Sequence, residues 1–136
     1  MRLKFLKSAL LLLIFVNTNN ISMEFKKQFP LYERLQESEK VLYEYPDKVP
    51  VICEKDNRVH NCEIKKRKYL VSKDLTVGQF MYIIRKQIQM NSSMGLFLFT
   101  NGTIPSSSEK MGYIYKKYKD NDGYLYMNYA FENTFG

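Results

Sequence analysis

The residue with the clearest chemical potential in this chain is the last one, Gly136, which follows the tail Phe131–Phe135. A C-terminal glycine has no Cβ to crowd attack at its carbonyl, and its backbone reaches conformations closed to other residues. Enzymes that activate a protein's C-terminal carboxylate as an adenylate and then as a thioester need such an unhindered carbonyl. The tail is therefore a candidate for attachment to an amine, although a terminal glycine alone also occurs by chance.

The other polar candidates do not form a catalytic or metal-binding set. Cys53 and Cys62 have no Cys-x-x-Cys spacing, so we expect two reduced thiols, while a single disulfide between them stays open. His60 has no partners arranged for a catalytic triad. Asp120–Gly123 looks like a calcium loop, but the EF-hand register places tyrosines at two ligand positions, so we expect only a turn. The sequence predicts no enzyme active site, no cofactor and no metal.

A basic run, Lys65–Lys68, precedes a predicted strand in a chain whose net charge is +7. Three interpretations of this run are open. It could bind RNA or a nuclear import receptor. It could be a solvated entry to the strand, or a basic rim beside an exposed strand edge that attracts acidic peptides.

Residues 1–22 differ from the rest of the chain. A basic start, Met1–Lys7, is followed by the apolar run Ser8–Val16, which has the form of a signal peptide and is too short to span a bilayer as a helix. No small-x-small cleavage site follows, so an upstream start codon, with the working protein beginning at Met23, stays open as the alternative. In both cases we expect a domain at 23–136, and we expect Ser8–Val16 to project from it as a loose helix or coil.

From Met23 onward the sequence alternates between helical and strand patterns, and these elements must position the residues above. Helices are predicted at Phe25–Phe29, at Leu31–Tyr45, from Thr76 to Ile88, and from Ser107/Ser108 through Tyr118. Strands are predicted at Val49–Glu54, Lys68–Ser72, Leu96–Phe99 and Tyr124–Ala130. After the two N-terminal helices the order is β-β-α-β-(β)-α-β, which predicts an α+β chain with the ubiquitin-like β-grasp fold.

Three local signals place the ends and faces of these elements. Thr76, followed three residues later by Gln79, has the pattern of a capping box. The pair Asn101-Gly102 predicts a tight turn after the third strand. In the second helix, helical spacing predicts a buried side made of Leu31, Leu35, Ser38 and Leu42.

Many segments of the chain resemble the GABARAP/LC-type autophagy ubiquitin-like modifiers. The resemblance covers essentially all of 23–136 without an internal gap, and residues 1–22, the leader, lie outside it. The segments that carry it are Tyr45–Ile52, Glu54-Lys55, Lys68–Val71, Asp74–Phe80, Ile84–Lys86, Phe97–Phe99, Ile104-Pro105, Met111-Gly112 and Tyr124–Gly136.

The resemblance implies a protein tag whose target is a lipid. An E1-like enzyme would activate Gly136, and an E2-like enzyme would join it to the amine of phosphatidylethanolamine on the cytosolic face of an autophagosome or organelle membrane. A cysteine protease would remove the lipid again. The catalytic cysteines belong to those enzymes, so Cys53 and Cys62 are not expected to take part, and no nucleic acid partner is expected.

The resemblance also implies capture of aromatic-x-x-aliphatic peptides, which pair as an added strand with the edge of the second strand. The residues expected around the aromatic side chain are Glu37, Val41, Pro50, Ile52, Lys68, Leu70 and Tyr124. Those expected around the aliphatic side chain are Tyr69, Val71, Leu75, Phe80 and Ile83. Lys48 and Lys66, together with Lys68, are expected to meet acidic residues that flank the motif. An alternative to a role in peptide binding is ordinary packing in the hydrophobic core, and it applies especially to Ile52, Phe80 and Ile83.

Two positions depart from the family's pattern: Tyr124 stands where relatives often have Phe, and Ser72 where they often have Pro. The leader also leaves a second function open, that of an exported β-grasp peptide-binding protein that is no longer lipidated. Under that alternative the glycosylation patterns at Asn91 and Asn101 would become relevant.

Overall fold

The computed structural model describes residues 12–14, 25–59, 66–88 and 94–132. The expectations for Gly136, Cys62, His60 and Asn91 lie outside these residues. In the described ranges the elements follow the order β1 (Leu12–Ile14), α1 (Phe25–Gln28), α2 (Leu31–Glu44), β2 (Lys48–Lys55), β3 (Lys68–Ser72), α3 (Val77–Ile88), β4 (Leu96–Phe99), α4 (Met111–Tyr118) and β5 (Leu125–Phe131).

One mixed sheet with the strand order β1-β3-β2-β5-β4 organises the domain. The central pair, β2 and β5, is parallel, with Val51 opposite Leu125, and the pairs β2–β3 and β4–β5 are antiparallel. Parallel neighbours need a crossover connection, and the chain from β3 through α4 provides it. The predicted α+β, ubiquitin-like fold is confirmed.

The main hydrophobic core lies between α3 and one face of the sheet. Helix α3 buries Val77, Phe80 and Ile84, as its apolar spacing predicts. The Phe80 ring meets Tyr69 of β3 edge to face, with the ring centroids 5.3 Å apart. The predicted capping box begins the helix, because the Thr76 N–H donates to the Gln79 side chain at 2.9 Å and the Gln79 N–H donates back at 3.1 Å.

The N-terminal helices cover the opposite face of the sheet. Phe25 and Phe29 pack with Ile52 and Tyr124 in one cluster, and Val41 packs with Leu70 in another. The prediction of which side of α2 is buried is wrong in part. The residues that α2 buries are Arg34, Ser38 and Val41, whereas Leu31 is 48% exposed. The spacing of apolar residues predicted the wrong face because Arg34 forms a buried hydrogen bond with the carboxylate of Asp122, which turns that side of α2 toward the sheet.

The expectation that Ser8–Val16 projects as a loose helix or coil is wrong at Leu12–Ile14, which form strand β1. This strand pairs antiparallel with β3, and Leu12, Leu13 and Ile14 lie opposite Leu70, Tyr69 and Lys68. One edge of β3 pairs with β2, and the other edge would otherwise present unpaired backbone groups. The nearby segment therefore has a partner surface after all. The remaining residues of Ser8–Val16 lie outside the described ones.

A tight turn follows β4, as the sequence predicts. Asn101 and Gly102 have φ values of +51° and +76°, and Thr100 and Thr103 exchange backbone hydrogen bonds around them, so the predicted turn is confirmed. The predicted order included an optional strand, written (β), after the third strand. Among the described residues, this region contains only an isolated bridge between Thr100 and Thr103. Helix α4 begins at Met111, three residues after the predicted start. No helix in the described ranges is long and apolar enough to cross a membrane.

Candidate functional site

Strand β3 lies at the centre of the candidate site and presents two different faces. Leu70 packs with Val41 of α2, whereas Tyr69 belongs to the main core on the other side of the sheet. This alternation follows from the strand geometry, in which successive side chains point to opposite faces. Residues from both predicted pockets therefore meet along one strand.

The residues predicted around an aromatic ligand side chain lie together between α2 and the β2–β3 pair. Pro50 lies opposite Leu70, and Ile52 lies opposite Lys68. Glu37 of α2 is close enough to act electrostatically on both Lys68 and Tyr124. Ile52, Lys68 and Tyr124 have no exposed surface, so this part of the site is covered in the structure.

Two aromatic residues that sequence reasoning did not assign to the site form part of this cover. The Phe25 ring lies 5.3 Å from that of Tyr124 and 5.1 Å from that of Phe29. The backbone N–H of Phe25 donates to a carboxylate oxygen of Glu54 at 2.8 Å, which fixes α1 against β2. Their spacing of four residues places two rings on one side of a helical turn, which is the signal that could have identified them.

Lys68 is the most perturbed basic group of the site. Burial lowers the pKa of its ammonium group to about 7, the carboxylate of Glu37 acts in the opposite direction, and Arg67 lowers the pKa further. A lysine near its pKa at neutral pH gains or loses its charge when its surroundings change. An acidic group brought beside Lys68 would favour the charged form, so this residue can respond to an acidic ligand.

The residues predicted around an aliphatic ligand side chain divide into core and rim. Tyr69, Val71 and Phe80 are buried in the main core, with at most 3% of their surface exposed. Leu75 and Ile83 are partly exposed and pack against that core. The accessible part of this predicted pocket is therefore formed by Leu75 and Ile83, while Phe80, and Ile52 on the other face, are buried.

The two lysines predicted to meet acidic flanking residues lie toward opposite ends of β3. Lys48 is opposite Ser72, and its ammonium group lies 5.7 Å from the centroid of the Tyr45 ring. Lys66 precedes the strand, and its carbonyl accepts a hydrogen bond from the Tyr69 hydroxyl at 3.0 Å. Both side chains are partly exposed. Positive charge is thus available at both ends of the edge.

A buried ion pair connects α2 to the turn before β5. Nη1 of Arg34 donates to Oδ2 of Asp122 at 2.6 Å, and Asp122 has no exposed surface. The hydroxyl of Ser38 donates to the Asp122 carbonyl at 2.6 Å, and the Tyr126 hydroxyl donates to its carboxylate. These contacts hold the helix that carries Glu37 and Val41 over the sheet.

The last described part of the chain leads to the predicted attachment point. Strand β5 ends at Phe131, and the N–H of Glu132 donates to the Gly95 carbonyl at 3.0 Å. Gly136 follows Glu132 by four residues, which can span up to roughly 14 Å when extended. The predicted attachment point is therefore within roughly 14 Å of Glu132.

Of the two cysteines considered in the sequence, Cys53 lies in the described part of the chain. Cys53 is a free thiol in the core, and burial raises its pKa, which disfavours the thiolate that a nucleophile or metal ligand requires. Among the described residues no group of three or more metal-ligating side chains is found.

Comparison with known proteins gives concordant results. The family model described as "Autophagy protein Atg8 ubiquitin like" matches residues 33–136. Autophagy-related protein 8 of Kluyveromyces lactis is 46% identical over 112 residues, which are 82% of this chain and 90% of the yeast protein. The corresponding protein of Saccharomyces cerevisiae is 47% identical over 112 residues, which are 82% of this chain and 96% of that protein.

Solved structures show the same similarity in three dimensions. The crystal structure of Trypanosoma brucei ATG8 has a TM-score of 0.78 at 43% identity, and the match covers 84% of this chain and 98% of that one. Plasmodium falciparum Atg8, in complex with a Plasmodium falciparum Atg3 peptide, has a TM-score of 0.72 at 33% identity, with 79% and 95% covered. The similarity therefore includes nearly the whole length of each of these relatives.

Proposed function

Because the chain belongs to the Atg8 family of ubiquitin-like autophagy proteins, we propose that it is a modifier joined through Gly136 to phosphatidylethanolamine. An E1-like enzyme activates the carboxylate, an E2-like enzyme transfers it to the headgroup amine, and a cysteine protease later releases the lipid. The two acyl chains, at roughly 0.8 kcal/mol for each buried CH₂, anchor the domain on the cytosolic face of an autophagosome or organelle membrane. In this proposal the chain is a substrate of enzymes and is not an enzyme itself.

Support for the E2-like partner comes from a relative. The Plasmodium falciparum Atg8 structure contains an Atg3 peptide, so a protein of this fold binds a segment of another protein of the same pathway. Gly136 suits the conjugation step chemically, because it has no Cβ to crowd attack at its carbonyl. We place the working domain at 23–136, and the leader precedes it.

We propose further that the domain recruits proteins carrying aromatic-x-x-aliphatic motifs by adding the motif as a strand to β3. The observation that carries this proposal is that the outer edge of β3 accepts an antiparallel strand, since β1 pairs there. The aromatic side chain would enter among Glu37, Val41, Pro50, Ile52, Lys68, Leu70 and Tyr124. The aliphatic side chain would rest on Leu75 and Ile83 above Tyr69, Val71 and Phe80, and Lys48 and Lys66 would attract acidic flanks.

A reconstituted conjugation reaction tests the first proposal. The full chain is incubated with E1-like and E2-like enzymes of an Atg8 system, ATP, and liposomes that contain phosphatidylethanolamine. We expect a mass increase equal to the lipid minus one water, located on Gly136. Liposomes made only of phosphatidylcholine are the control, because their headgroup has no primary amine. A chain that forms the E2 thioester but never acquires lipid would overturn the proposal.

A further inference from the structure

The outer edge of β3 already has an occupant in the full chain. Leu12, Leu13 and Ile14 pair with it over three consecutive residue positions, in antiparallel orientation. Strand β3 consequently has neighbours on both sides, β2 and β1, and its residues Lys68–Val71 are all buried. The edge proposed for peptide capture is the edge that the leader covers.

Two strands cannot occupy one edge at the same time. The N–H and C=O groups of a strand that point away from its first neighbour can form only one further ladder of backbone hydrogen bonds. A peptide that adds to β3 by the same pairing must therefore displace β1. The leader and an incoming peptide compete for the same backbone groups.

The leader is a strong competitor because it is tethered. Ten residues separate Ile14 from Phe25, and an extended chain of that length spans up to roughly 36 Å. Phe25 is itself anchored to the domain, through its ring contact with Tyr124. A tether of this length can give an attached segment an effective concentration on the order of millimolar, which exceeds the concentrations at which separate peptides are usually present.

We propose that the leader is an intramolecular ligand of the peptide-docking edge, so that a chain containing residues 12–14 is closed to motif peptides until β1 is displaced or absent. This inference rests on the proposed function of β3 as a docking edge. Under this proposal, a chain that begins at Met1 and a chain that begins at Met23 differ in how they bind peptides. The first would carry its own competitor, and the second would be open.

The test uses the full chain and a matched pair of variants. Leu12→Pro with Leu13→Pro removes two consecutive backbone donors from β1, so one of them is a donor that faces β3. Lys4→Pro with Phe5→Pro places the same two prolines in the leader before β1. The probe is an acidic ten-residue peptide with one Trp-x-x-Leu core, and calorimetry measures its dissociation constant for all three chains.

We expect the Leu12/Leu13 variant to bind the probe at least about tenfold more tightly than the unaltered chain and the Lys4/Phe5 control. Equal affinities in all three chains would overturn the inference and leave the docking function intact. Failure of all three chains to bind would overturn the docking function and the inference with it. A gain in affinity that depends on protein concentration would show that β1 acts on a second copy, and would overturn the intramolecular form.

Hydrogen exchange provides a measurement that does not depend on any peptide. In the unaltered chain and the control, the backbone amides of β3 that face away from β2 should be protected. In the Leu12/Leu13 variant these amides should exchange faster, while the amides of α3 remain unchanged. Identical exchange of β3 in all three chains would overturn the contact itself.

Discussion

Lys68 lies at the proposed docking edge, and its burial makes the stability of the domain depend on pH. Its pKa is about 7 in the folded chain, against an ordinary value of 10.5. Between these values the unfolded chain binds a proton that the folded chain does not, so the free energy of unfolding rises with pH, by up to about 1.4 kcal/mol per pH unit for one proton. Glu37 and Arg67 are the charged groups that act on Lys68.

We predict that Lys68→Met flattens this dependence, because the variant has no group that titrates at this position. Urea unfolding at pH 7.5 and pH 9.5 measures the difference in the free energy of unfolding between the two conditions. The unaltered chain should be more stable at pH 9.5 than at pH 7.5, and so should the control Lys66→Met, whose side chain is partly exposed. An equal rise with pH in Lys68→Met would assign the effect to another group.

Leu75 and Ile83 are the accessible residues of the proposed aliphatic pocket, and they allow a cleaner test of binding than the buried Tyr69. We predict that Leu75→Ala with Ile83→Ala weakens the Trp-x-x-Leu probe by about 2 kcal/mol, as expected for anchor contacts. The background is the Leu12/Leu13 variant of the leader, in which the edge is open. Calorimetry gives the affinity, and unchanged binding by the folded variant would remove these residues from the site.

The matched control for that experiment is Tyr82→Ala on the same helix. The Tyr82 side chain is 58% exposed and lies outside the proposed pocket. Its replacement should leave the affinity for the probe unchanged. A loss equal to that of the Leu75/Ile83 variant would show that the peptide contacts another face of α3.

At the scale of the secondary-structure elements, the packing of helix α2 on the sheet depends on a contact with the turn before β5. Asp122→Asn keeps the shape of the side chain but leaves the buried charge of Arg34 without its carboxylate. We predict a loss of about 3 kcal/mol in the free energy of unfolding, because removing one partner of a buried ion pair leaves the other charge buried without compensation. Urea unfolding measures this loss, and a change close to zero would contradict the buried pairing.

The control for this contact is Asp74→Asn. Its carboxylate lies 3.6 Å from the Lys110 ammonium group, and its side chain is 85% exposed. Exposed pairs of this kind contribute little, so the unfolding midpoint should not move. The comparison separates the effect of burial from that of charge pairing.

The same turn requires a glycine for two reasons. Gly123 has a φ of +88°, and a Cβ at this position would collide with the side chain of Ser38 on α2. Its carbonyl also accepts a hydrogen bond from the Tyr115 hydroxyl at 2.7 Å. The turn thereby connects α2, α4 and β5, which explains why a segment that resembles a calcium loop in sequence acts as a structural junction.

At the scale of the whole molecule, the proposed attachment to a lipid depends on one terminal residue, Gly136. We predict that Gly136→Ala leaves the domain folded but reduces lipid attachment at least about tenfold, because the added methyl group crowds attack at the terminal carbonyl. Fractionation of cell membranes, with phospholipase treatment of the membrane pool, measures attachment. Thr134→Ala is the control, since it alters the tail but keeps the glycine. A lipase-sensitive membrane pool of normal size in Gly136→Ala would contradict the mechanism.

Local sequence determined the elements whose signals and partners lie close together in the chain. Thr76 and Gln79 are three residues apart and begin α3, and the bounds of β3 and β4 agree with the predicted strands. The turn at Asn101-Gly102 follows from the same kind of information, since it depends on two adjacent residues that tolerate positive φ. The family resemblance supplied the functional hypothesis for the domain and its terminal glycine.

Only the tertiary structure decided which surfaces meet. The inward face of α2 is set by Asp122, which lies 88 residues after Arg34 and compensates for burial of a charge that spacing rules would place outside. The pairing of Leu12–Ile14 with β3 likewise depends on a free edge that exists only after the sheet has formed. Both decisions come from contacts between distant residues, whose free energies no local pattern in the sequence contains.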